Sequence, residues 1–153
     1  MPNAARPDAA RADARPGAIA WAIAGILLVT AWRLAMLRLD RLDLYVDDAQ
    51  YWLWGQELAW GYFSKPPLIG WILRLSTEIG TDDPFWIRAP LPILHALTAI
   101  VVAFAARRLF DPRVGALAGF AVVTLPGVAV GSLFVSTDTP MLLGFATALL
   151  ALL

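Results

Sequence analysis

Asp47 and Asp48 are adjacent carboxylates in a chain that is otherwise poor in charge. Like charges side by side disfavour each other's ionised form, and partial burial adds to that effect. One of such a pair is therefore suited to accept a proton from a reacting hydroxyl. The plainer reading is a helix start, because Asp48 ahead of AQYWLW suits an N-cap and carboxylates are favoured there. Downstream, Trp60, Tyr62 and Phe63 lead into Lys65 and the pair Pro66–Pro67. Aromatic rings with a polar tip favour the membrane interface. A lysine in such a patch is placed to meet a lipid phosphate as a point charge, against the alternative of an ordinary surface lysine. A third carboxylate, Asp138, stands in the polar turn STDTP, where it would either cap a helix or hold a cation or a polar substrate group. Arg88 and His95 interrupt an apolar stretch. Arg88 is expected at the interface, and His95 as a hydrogen-bonded packing residue.

These side chains need elements to position them, and the composition says which kind. Of 153 residues 59% are hydrophobic and 16% charged, and the mean hydropathy is +0.66. Such usage belongs to membrane proteins. The formal net charge is zero, which gives no pull toward nucleic acid. No cysteine is present, so disulfides and thiolate metal sites are excluded, and the single histidine excludes any site that needs two.

Residues 1–17, rich in Ala, Arg, Pro and Asp, read as a disordered tail. Apolar runs predict spans at about 18–37, 85–106 and 114–135, and a fourth from 141 to 153. The first run is too long for a signal peptide and has no small-residue cleavage site, so it reads as a retained span. Arg33, near its far end, is expected to snorkel to the headgroups. Pro126 and Gly127 are expected to kink the third span. Between the first two spans lies a long loop, 38–84, predicted to hold two short surface helices. One falls within Asp48–Trp60, and the other follows the prolines as PPLIGWILRLSTEIG. The fourth apolar run continues to the last residue, which predicts a piece of a longer protein, inactive by itself.

Arg6, Arg11 and Arg15 in the tail and Arg107, Arg108 and Arg113 after the second span mark the cytoplasmic side. Crossing parity then sets the long loop and the STDTP turn together on the opposite face. Asp47, Asp48, Lys65 and Asp138 are thus expected to converge on one membrane surface.

The blocks VDDAQYWLWGQELAWGYFSKPPLIGWILRLST, FWIRAPLPIL, ARRLFDPRVGALAG and STDTPMLL, in that order, resemble the N-terminal part of GT-C glycosyltransferases. They are most similar to the bacterial protein mannosyltransferase and aminoarabinose transferase group. The resemblance covers Leu44 to the end and implies an all-α polytopic membrane bundle with short helices on its outer surface. It implies an enzyme of the bacterial inner membrane that moves a sugar from a polyprenyl-phosphate carrier to a lipid, glycan or protein hydroxyl, with inversion. Asp47 matches the family's catalytic aspartate, and Asp48 stands where glutamate is usual. Asp138 matches an outer-loop aspartate that orients substrate or holds a cation such as Mg2+ or Mn2+. Lys65, with Tyr62 and Arg88, would bind the substrate and stabilise the charge on the departing phosphate. Two other classes fit the residues less well. A transporter would carry its acids inside the spans, and a scaffold would tolerate Asp47→Asn.

Overall fold

The computed structural model describes residues 17–153, and every element among them is a helix. Of the tail read as disordered, all but Gly17 lies outside the described residues. Helix α1 (Gly17–Leu39) and the apolar unit Pro84–Leu109 are long and apolar enough to cross a membrane. That unit consists of α4 (Pro84–Arg88) and α5 (Pro90–Leu109), joined at Ala89, whose own backbone is helical (φ −55°, ψ −33°). Proline opens these helices where a missing N–H costs nothing. Asp83 caps α4 by accepting the Phe85 N–H at 2.8 Å. Asp111 caps α6 (Pro112–Thr124), accepting the N–H groups of Arg113 at 2.7 Å and Val114 at 3.0 Å.

Helix α6 packs along α5, and α1 and α8 (Asp138–Leu152) flank the pair. Ile26, Ala96, Ala99 and Val123 form the centre of this bundle. The α5–α6 seam is made of small residues. A Cβ added to Gly119 would lie 2.7 Å from the Ala103 Cβ and 2.8 Å from the Ala99 carbonyl oxygen. Lipid gives apolar helices no hydrophobic reason to associate, so this backbone-level approach is what joins them.

The third span expected over 114–135 is not one helix. It stops at Thr124, because Pro126 lacks an N–H and forces the preceding Leu125 to an extended ψ of 133°. The chain resumes as α7 (Pro126–Gly131). The break frees carbonyls at the end of α6, and Arg33 takes one of them. Its Nη2 donates to the Val123 oxygen at 2.6 Å. Arg33 therefore does not snorkel to headgroups. It is buried and caps a helix C-terminus, where a cation is favoured.

Above the bundle lies a second layer, the two expected surface helices. Helix α2 (Val46–Gln56) crosses α3 (Leu68–Ile79) at Gly55, where a Cβ would approach the Gly70 oxygen to 3.0 Å. Helix α2 ends four residues before Trp60, because the backbone turns extended at Glu57. Tyr51, Ile69, Leu73, Ile87, Leu91 and Val135 pack together and seat this layer on α4 and α5.

Candidate active site where two loops meet

The two adjacent aspartates have opposite surroundings. Neighbours on a helix point about 100° apart, and here one points in and the other out. Asp48 is fully buried. Its Oδ2 accepts from Arg88 Nε at 2.9 Å and Nη2 at 2.8 Å, and from the Tyr45 N–H at 3.3 Å. Its Oδ1 accepts the Val135 N–H at 2.7 Å. Asp48 is thus not the N-cap of α2 but its third residue, reaching back to Tyr45 as in a capping box. Asp47, in contrast, is exposed.

Arg88 is not interfacial: its side chain is 3% exposed. Besides Asp48 it donates to the carbonyls of Asp43 at 2.7 Å and Leu42 at 3.3 Å, and Asp40 stands 3.7 Å away. A buried guanidinium is sustained only with this degree of pairing. The Tyr45 ring lies under it, 5.5 Å from the guanidinium carbon, and meets Phe134 edge-on at 4.8 Å. One ion pair therefore joins the loop before α2, the top of α4 and the loop before α8.

That loop brings Asp138. Val135 is held by Asp48, and four residues on the buried Thr139 hydroxyl lies 3.3 Å from His95 Nε2. Asp138, between these two ties, is exposed, and its N–H donates to Ser136 Oγ at 3.1 Å. The predicted meeting of the two loops is present. Tyr51 registers it: burial raises its phenol above the ordinary value, and the charges of Asp47 and Asp138 both add to the rise. A cleft of about 360 Å³ lies beside Asp47, lined by Tyr45, Val46, Asp48, Phe134 and Val135.

The chain's match to a known family takes in Arg88 and the loop of Asp138 but begins after α2. The sequence signature of the dolichyl-phosphate-mannose-protein mannosyltransferases matches residues 64–153. The chain belongs to that family. Its GT-C character is the one the resemblance implied. The lipid A galacturonosyltransferase RgtD of Rhizobium johnstonii is 45% identical over 131 residues, covering 83% of this chain and 28% of that protein. The chain thus spans little more than a quarter of this relative's length. No solved structure gives a significant match.

Within this mannosyltransferase-family chain, the remaining site candidates lie apart from the carboxylates. Tyr62 stacks on Trp54 at 5.0 Å, and its hydroxyl donates to the Trp54 carbonyl at 2.7 Å, so its one proton is in use. Lys65 is exposed, beyond the other end of α2. The helix rise from Asp47 to Gln56 alone is about 14 Å. Among the described residues no group of three or more His, Asp or Glu side chains could hold a metal. Sequence reasoning passed over Tyr51. The available signal was its spacing of four from Asp47, which puts both on one helix face.

Proposed function

We propose that this chain forms the acceptor-activating part of an integral-membrane glycosyltransferase. It would transfer a sugar from a polyprenyl-phosphate carrier, with inversion, on the periplasmic face of a bacterial inner membrane, its N-terminus in the cytoplasm. The observation that carries the reading is the division of labour between the adjacent aspartates. Asp48 is spent on Arg88 and Val135, and this leaves Asp47 free, beside a cleft and next to the loop of Asp138. The relative's name makes galacturonic acid the first sugar to try and lipid A the first acceptor.

In this reading Asp47 takes the proton of the acceptor hydroxyl as its oxygen bonds to the anomeric carbon. The bond from that carbon to the phosphate oxygen breaks, and the electron pair leaves with polyprenyl phosphate. Asp138 orients sugar or acceptor, or supplies an oxygen ligand to a divalent cation. Arg88 and Asp48 position, and Tyr62 braces the loop that carries Lys65. Lys65 makes no ion pair with a described residue and would meet the carrier's phosphate.

The test uses the full-length protein in membranes, with labelled polyprenyl-phosphate sugars and lipid A. Asp47→Asn should lower turnover about 10²–10⁴-fold, the range for losing a general base, without unfolding the protein. Undiminished turnover in that variant would remove Asp47 from the chemistry. Nuclear magnetic resonance of the product's anomeric centre checks inversion.

A further inference from the structure

Tyr51 stands one helical turn beyond Asp47 on α2, on the same face. Its side chain is packed in among Ile69, Leu73, Leu91 and Val135, with 6% of its surface exposed. The ring tilts against Trp54 with centroids 5.3 Å apart. The ring is therefore fixed, and with it the direction of the phenol. A tyrosine this buried usually finds a hydrogen-bond partner, yet no described residue supplies one for this hydroxyl. Nor is it sealed away: the orphaned buried polar atoms of the described residues are Arg33 Nη1 and His95 Nδ1. The Tyr51 hydroxyl thus reaches accessible space within the field of Asp47 and Asp138, which come from loops remote in sequence.

We propose that the Tyr51 hydroxyl is a substrate-contacting group that hydrogen-bonds a hydroxyl of the transferred sugar. This rests on the glycosyltransferase reading and adds a residue and a substrate moiety to it. Electrostatics decides which part of the donor lies here. Two carboxylates make this end of the site acidic, so the anionic phosphate is disfavoured and belongs toward cations such as Lys65. A sugar hydroxyl suits the acidic end, because it donates to a carboxylate and accepts from a phenol at once. Burial and the two negative charges keep the phenol protonated, so it enters as a donor. The other tyrosines of the layer are engaged elsewhere. Tyr62 has used its proton on Trp54, and Tyr45 packs its ring against Phe134 and Arg88.

Tyr51→Phe in the full-length protein tests this cleanly, since phenylalanine keeps the packing and removes only the hydroxyl. Its melting temperature should match the wild type. Its kcat/KM for labelled polyprenyl-phosphate galacturonic acid should fall about 10–100-fold, the loss of one hydrogen bond that leaves its partner unpaired. A series of donors, each lacking one sugar hydroxyl, supplies the second arm. The wild type should discriminate against one of them, and Tyr51→Phe should lose that discrimination. Wild-type kcat/KM in Tyr51→Phe, or unchanged discrimination against every deoxy donor, overturns the assignment while leaving the enzyme reading intact. A wild-type protein that transfers sugar from none of these donors overturns both.

Discussion

The bundle and the layer above it are held by opposite means. Along the α5–α6 seam the backbones nearly touch, and Gly119 leaves no room for a methyl group against Ala99 and Ala103. The upper layer is built of large rings and one charged anchor. Trp54 and Tyr62 stack there, the Trp71 indole N–H donates to the Ala59 carbonyl at 3.0 Å, and the Trp52 N–H donates to Asp82 at 2.9 Å. Beneath these sits the buried Asp48–Arg88 pair. The bundle is therefore sensitive to added volume, and the layer to a charge that loses its partner. Membrane helices associate through fit. The surface layer is fixed by directional bonds.

The contrast is sharpest at Arg88. Arg88→Met should destabilise the full-length protein by about 3–5 kcal/mol, because it strands the Asp48 carboxylate where water does not reach. Thermal unfolding in detergent measures it, and the double variant Asp48→Leu/Arg88→Met should recover part of the loss. Gly119→Val should cost less, about 1–3 kcal/mol, the usual range for overpacking. A Gly119→Val penalty above that of Arg88→Met would break the comparison, since volume would then outrank charge. Smallest is Thr139→Val, about 1 kcal/mol for one buried hydrogen bond. It should act mainly on transfer, through the placing of Asp138, so turnover is measured alongside melting.

Much of this was readable from the letters. Long apolar runs located α1 and the unit 84–109, and the proline pair marked the start of α3. Parity placed the loops of Asp48 and Asp138 together with Lys65; the bond to Val135 joins the two loops, while Lys65 lies beyond the far end of α2. What escaped depended on partners distant in sequence. Arg33 looked like a snorkelling residue because its acceptor, the Val123 carbonyl, is 90 residues away and exists only because α6 stops. Which aspartate would turn inward could not be told from DD itself, because Arg88 decides it from 40 residues downstream. Tyr51 was hidden by company: in a helix ringed with aromatics, one phenol's spacing from Asp47 carried no contrast. The end of α6 at Thr124 was half legible. Pro126 announced a disturbance, but a kink and a stop are spelled alike, and the extended Leu125 decides between them.

The bond from the Val135 N–H to Asp48 closes a stretch of 87 residues. On a translating ribosome, at about 5–20 residues per second, Asp48 waits on the order of ten seconds for that donor. Until then that Asp48 oxygen lacks the donor it has in the folded protein. The two loops therefore meet only after the segment leading into α8 has been synthesised.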